Sequence, residues 1–210
     1  MIRLLAALIA VCLSACSTPA PPPAPAAADV SPRYRINDAL TALPASTPLR
    51  VDISLASFTA QLLTKDNSVI AEMDVSPGMP GHATPRGKFR ILEKMPLKRS
   101  NLYGQYVTKD TREVIVARAW EHKGKRPEGT VYQGIAMPFW LRLTDYGVGM
   151  HVGAFNRGQP SSHGCIRCPE GGQTTFYERV RIGTPVRVHD GPHPAPSMLE
   201  NPLPAAPPPA

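Results

Sequence analysis

The chain has 210 residues, enough for one domain of ordinary size plus tails. Its 23 Lys and Arg against 16 Asp and Glu give a net charge of +7, which suits an anionic partner. No zinc-finger spacing, RNP-like aromatic run or concentrated Lys/Arg helix accompanies that charge, so the expected partner is not nucleic acid.

The N-terminus, "MIRLLAALIAVCLSAC", places Arg3 before an apolar run from Leu4 to Leu13. The run is too short to span a bilayer and reads as a secretory signal over residues 1–15. Its end, Leu13-Ser14-Ala15-Cys16, resembles a bacterial lipobox. That resemblance implies cleavage before Cys16 and lipidation of its thiol and amine. Several acyl chains anchor a protein stably where one does not. Ser17, in place of Asp, implies sorting to an outer membrane, with the rest of the chain in the periplasm. Cys12 leaves with the signal, so Cys165 and Cys168 are the free thiols expected in an oxidising compartment.

Residues 16–47 read as a linker. Five prolines between Pro19 and Pro25 cannot form a packed core and favour an extended polyproline spacer. Within this stretch "INDALTAL" is a candidate short helix capped by Asn37 or Asp38. The folded part is expected over 48–190. "LRVDISL" alternates Leu49, Val51, Ile53 and Leu55 on one face, the period of a strand. "SVIAEMDVS", "GKFRILEK", "EVIVARAW", "FWLRLTD", "GVGMHVG" and "TPVRVHD" are further strands, divided by Gly, Pro, Asn and Asp. Residues 96–134 are polar, basic and weakly patterned, and read as long loops around one strand, over a cleft. "GGQTTFYERV" is a second helix candidate. Eight more prolines in 191–210 read as a disordered tail. Many short strands, few helices and no internal repeat imply an all-β sandwich or barrel.

The chemistry concentrates in "MHVGAFNRGQPSSHGCIRCPEGG", residues 150–172. If "SHGCIRCP" is a short extended segment, His163, Cys165 and Arg167 point one way, and Gly164, Ile166 and Cys168 the other. The first face then carries a base, a thiol and a permanent cation. An imidazole can take the proton of a cysteine that is mostly thiol at neutral pH. Arg167 favours the thiolate or grips a carboxylate. Gly164 admits close approach to the backbone, and an N–H beside Cys165 can hold an oxyanion. A lone His-Gly-Cys would more often be structural, because cysteine is among the most buried residue types. The cluster of His151, Ser162, His163, Cys165 and Arg167 cannot all be core.

"SHGCIR", with a His and a nearby Gly upstream, resembles the signature of the L,D-transpeptidase catalytic domain, the YkuD-type domain. "VSPGMPGHATPRGKF" resembles that family's Thr-Pro-x-Gly-x-Phe segment, "MPFWLRLTDYGVGMHVG" its approach strand and "RIGTPVRV" its closing strand. The resemblance spans about 49–188. It implies a β-sandwich with a few short helices and long loops around an active-site cleft. It also implies acyl transfer on peptidoglycan stem peptides: a cysteine takes the acyl group of an L,D-peptide bond as a thioester, releases D-alanine and passes the acyl group to an amine. On this resemblance Cys165 matches the nucleophile, His163 the activating histidine and His151 the upstream histidine near the site. Gly164 and Arg167 match the residues flanking the cysteine, and Ser162 the Ser/Thr before the histidine. Two positions depart from the pattern: Val152 separates His151 from Gly153, and Cys168 stands where Leu or Met is usual.

The acceptor amine stays open: a second stem peptide, a protein or a free D-amino acid, with water as the hydrolytic alternative. Other classes stay open too. They are a thiol–disulfide oxidoreductase using Cys165 and Cys168, and a non-catalytic wall-binding lipoprotein. A zinc site from His151, His163, Cys165 and Cys168 is disfavoured by the opposite parity of the two cysteines. No metal or organic cofactor is expected. Cys168 is expected to be a small buried core filler, since three residues of extended strand span about 10 Å, beyond the reach of a disulfide.

Overall fold

The computed structural model describes residues 30–199, so the signal segment, Cys16 and most of the proline spacer lie outside the described residues. Two sheets face each other. The first contains β1 (Tyr34–Ile36), β2 (Arg50–Ser54), β3 (Thr59–Leu63), β4 (Val69–Asp74), β5 (Gly87–Arg90) and β11 (Pro185–His189), in the order β1-β4-β3-β2-β11-β5. The second contains β6 (Glu93–Thr108), β7 (Val114–Val116), β8 (Thr130–Arg142), β9 (Gly149–Val152) and β10 (Ile166–Cys168), in the order β10-β9-β8-β6-β7. Two pairs are parallel, β2 with β11 and β9 with β10. The arrangement is a β-sandwich with two helices, α1 (Ala39–Ala42) and α2 (Glu170–Arg179).

The period-2 pattern explains the core. Val51 and Ile53 of β2, Ala60 and Leu62 of β3, and Val186 and Val188 of β11 meet Leu141, Met150 and Ile166 of the second sheet, and Phe176 of α2. Fully burying such side chains contributes roughly 1.5–3 kcal/mol each. The opposite face of the first sheet is also buried, although it is polar: Asp52, Ser54, Thr59, Gln61, Glu72 and Asp74 are all shielded from solvent.

Residues 192–199 cover part of that polar face. Gln61 Nε2 donates to the carbonyls of Ala195 and Pro196 (both 3.3 Å), Ser197 Oγ donates to Glu72, and the Leu199 carbonyl accepts from Arg33. Ordered packing therefore continues past 190, through Leu199, where the sequence reads as a disordered tail. Proline denies this strap a ladder, but its carbonyls remain acceptors for buried donors. At the other end β1 pairs with β4, and Arg33 bridges Asp74 at 3.0 Å. The fold thus reaches back into the stretch read as linker. Asp38 occupies the N-cap of α1 without capping it through its side chain.

The largest difference from the sequence reading lies in 96–134. In place of long loops, β6 runs for 16 residues and pairs with β8 in an extended antiparallel ribbon, with short β7 on its edge. Much of this ribbon is wet on both faces, and its register breaks between Arg99 and Gly104. Neither condition leaves an alternating apolar pattern to read. "EVIVARAW" likewise yields strand only at Val114–Val116.

Candidate active site

Strands β9 and β10 build the site floor. Their parallel register sets Arg167 opposite His151 and Cys168 opposite Val152. The chain reaches β10 through a bend at 163–165, so "SHGC" is not extended; only Ile166–Cys168 is strand. Gly164 makes the bend, with φ +111, a conformation side chains rarely adopt. A Cβ there would meet only ordinary contacts. Glycine is therefore required by conformation, where the sequence suggested close substrate approach. Ser162 locks the bend: its hydroxyl donates to the Cys165 carbonyl and accepts from Gly164 N–H at 3.1 Å. Despite the bend, odd positions from 163 to 167 stay partly exposed and even positions from 162 to 168 are buried. The sidedness expected of a strand survives.

A second segment clamps the bend from outside. Thr84, of the Thr-Pro-Arg-Gly element, is buried; its hydroxyl donates to the Gly164 carbonyl and accepts from Gly78 N–H, both at 2.9 Å. Gly78 has no room for a side chain, since a Cβ would sit 1.8 Å from the His82 carbonyl. Ser76 exchanges backbone hydrogen bonds with Arg167 (2.9 Å each).

The Cys165 thiol is half-buried and lies 3.9 Å from the Gly147 carbonyl. Burial pushes its pKa up; the Gly149 N–H and the Arg167 charge oppose that rise without cancelling it. Left alone, this sulfur is a thiol at neutral pH and needs a base. Two histidines share its hollow. His151 is 7% exposed, and its Nδ1 lies 2.8 Å from the Val152 carbonyl. A carbonyl can only accept, so Nδ1 carries the proton and Nε2 keeps its lone pair. Burial, with Arg167 nearby, lowers the His151 pKa and keeps the ring neutral, against the opposing pull of the Val152 carbonyl. His163 is held differently. Its ring stacks on Tyr103 (4.5 Å between centroids, 29°) and meets His82 and Trp120 edge-on at 4.6 and 6.0 Å. Burial and the neighbouring His82 also lower its pKa. His151 is thus oriented by a hydrogen bond and His163 by an aromatic box.

Arg167 is committed to the loop before the bend: Nη1 donates to the Ala154 carbonyl (3.2 Å) and to Ser161 Oγ (3.3 Å). Its charge bears on both Cys165 and His151. Cys168 is fully buried within the apolar core, and burial pushes its thiol far up. Both cysteines are free. Cys168→Ser buries a hydroxyl in place of a thiol and is expected to cost about 1–3 kcal/mol of stability. A denaturation midpoint checks this, and acylation of Cys165 should be retained.

Two hollows meet at Cys165. One, of about 330 Å³, is lined by His151, Arg167, Ile135 and Met137. The other, of about 670 Å³, is lined by His82, Lys98, Leu102 and Tyr146. Cys165, His163, Tyr103, Ser100 and Met137 border both. A larger hollow, about 790 Å³, lies by β2, β5 and β11; it holds Arg50, Lys88, Arg90 and Arg187 but no nucleophile, so the chemistry is not there. Sequence reasoning missed Thr84 as a clamp and Tyr103 and Trp120 as ring neighbours of His163. The aromatic character of the last two, inside an otherwise polar segment, was the available signal.

The fold has counterparts among solved structures. The chain is similar to an L,D-transpeptidase from Mycobacterium smegmatis (23% identity, TM-score 0.51, covering 68% of this chain and 58% of that one). It is similar to L,D-transpeptidase 3 from Mycobacterium tuberculosis (19%, 0.50, 68% and 61%). It is also similar to an L,D-transpeptidase solved in complex with imipenem (20%, 0.50, 68% and 59%). At these identities the likeness establishes the fold, and the chain spans about three-fifths of the length of those proteins. No curated protein sequence matches the chain. The family model of the L,D-transpeptidase catalytic domain matches residues 48–188, a span that contains both sheets except β1, the bend and its clamp. The chain therefore belongs to the YkuD family of L,D-transpeptidase catalytic domains.

Proposed function

We propose that the protein is a cysteine acyltransferase acting on peptidoglycan stem peptides. The observation that carries the reading is the meeting of two hollows at Cys165, one of them also lined by a neutral His151. Acyl transfer needs room for a donor and an acceptor at one nucleophile, and two hollows that share Cys165 supply it. His151 Nε2 takes the Cys165 proton as sulfur attacks the carbonyl of the donor's L,D-peptide bond. Cys165 N–H is the donor assigned to the oxyanion, because Gly164 N–H is already bonded to Ser162. The tetrahedral species collapses with the imidazolium proton passing to the leaving nitrogen, so D-alanine departs and a thioester remains. An amine entering from the other hollow attacks the thioester, loses its proton to His151, and the sulfur regains it as the new amide leaves.

The net charge of +7 favours a substrate rich in carboxylates, and the reading includes no nucleic-acid partner. The lipobox-like "LSAC" supports an outer-membrane anchor through Cys16, with the catalytic domain in the periplasm. The proline spacer would give it reach. A protein acceptor is compatible with the same chemistry.

The test is purified protein incubated with wall sacculi and with a tetrapeptide stem, every released and joined fragment being identified by mass. Released D-alanine together with a new amide on the third stem residue supports the reading. Release without a joined product would make the enzyme a hydrolase of the same bond, and no release from either substrate would overturn the assignment.

A further inference from the structure

The polar face of the six-stranded sheet holds a cluster that acyl transfer does not use. Asp52 of β2 is 1% exposed, and two imidazoles approach its single Oδ1: His189 Nε2, at the end of β11, at 2.8 Å, and His193 Nδ1, on the strap, at 2.7 Å. The three atoms lie within 4.8 Å of one another. A carboxylate offers about four lone-pair positions over two oxygens, yet both histidines converge on one of them.

The surroundings complete the case. His193 Nε2 lies 2.7 Å from Thr59 Oγ1, which in turn lies 2.7 Å from Ser57 Oγ. A ring nitrogen with a hydroxyl partner on its far side is the arrangement that orients a metal-bound histidine. Gln61 stands opposite Asp52 in the β2–β3 ladder and is 0% exposed; its amide nitrogen is used by the strap, while its Oε1 makes no hydrogen bond. A buried, unsatisfied carbonyl oxygen costs about 1–3 kcal/mol, and Gln61 occupies the strand position paired with Asp52.

We propose that Asp52, His189 and His193 form a site for one zinc-class divalent ion, which pins the strap to the six-stranded sheet. Two imidazoles and a carboxylate suit such an ion, with a fourth position for water or the Gln61 carbonyl. Metal–ligand bonds of about 2.0–2.2 Å place ligand atoms about 3.3 Å apart in a tetrahedron. The present N···O separations are therefore about half an ångström short, a change that movement of the strap supplies for His193 and side-chain rotation for His189. No net proton is released from neutral rings: each shifts its proton to the other nitrogen, His193 Nε2–H then donates to Thr59, and His189 Nδ1–H, buried without a protein partner, requires a water. This site runs against the sequence-based expectation of no metal, and it does not depend on the acyltransferase reading.

The test uses the purified full chain, stripped with chelator and titrated with zinc chloride by calorimetry, then with cobalt(II) by absorption spectroscopy. A single ion per chain is expected, retained in Cys165→Ser, with cobalt d–d bands and no thiolate charge transfer. His193→Ala should weaken zinc binding by more than about 100-fold and Thr59→Val by about 10-fold, with Cys165 acylation unchanged in both. Zinc should also slow proteolysis within 191–199. Absence of binding in excess zinc, undiminished affinity in His193→Ala, or a cobalt–thiolate band lost with Cys165→Ser would each overturn the site. If His193→Ala fails to fold, the cobalt spectrum of the wild-type protein decides alone.

Discussion

Cys165→Ala is expected to abolish covalent acylation, lowering turnover by at least about four orders of magnitude. The thiol lines both hollows, and the remaining hydrogen bonds can bind a substrate but cannot form the thioester. Intact-mass analysis after incubation with a stem peptide or a carbapenem should show one adduct on the wild-type protein and none on the variant. Cys168 cannot substitute, being sealed in the core with its thiol driven far above neutrality. Full acylation of Cys165→Ala would place the nucleophile elsewhere.

His151→Ala should slow acylation by roughly two to four orders of magnitude, the usual scale for a positioned base, and His163→Ala by less. The sequence-based resemblance puts His163 first. The geometry favours His151, whose Nδ1–H is anchored to the Val152 carbonyl so that Nε2 is the acceptor. His163 is packed against Tyr103 and His82 and better suits shaping the cleft. The pH profile separates the roles. A base acts when neutral, and burial holds His151 below its ordinary 6.5, so the wild-type acid limb should lie below pH 6.5. Without His151 the rate must wait for Cys165 itself to ionise, and its pKa is raised above 9.0. The His151→Ala profile should therefore climb into the alkaline range, while that of His163→Ala keeps the wild-type shape. The reverse pattern would return the base to His163.

The strands that pack the core were legible because their alternation is local: Val51 and Ile53, or Val186 and Val188, announce a buried face within a few residues. The chemistry was legible for a related reason. His163, Cys165 and Arg167 sit at alternate positions, and a side chain's face is settled by its immediate neighbours even though the chain bends at Gly164. The ribbon of β6 and β8 was not legible. Its solvated faces carry no pattern, and its pairing joins residues as far apart as Glu93 and Arg142.

The sequence by itself therefore determined the strand-rich architecture and the shared facing of His163, Cys165 and Arg167, because local alternation and side-chain parity decide those. Tertiary structure alone decided which histidine is oriented as a base, which segment clamps the bend, and that the strap lies down on Asp52, Gln61 and Glu72. Each of those depends on a buried polar group finding a partner. Ser162 and Gly164 find theirs within the bend, but Thr84 reaches Gly164 across 80 residues and His193 reaches Asp52 across 141. A hydrogen bond between distant residues leaves no periodic trace in either segment; it exists only once the sheets have brought the two together.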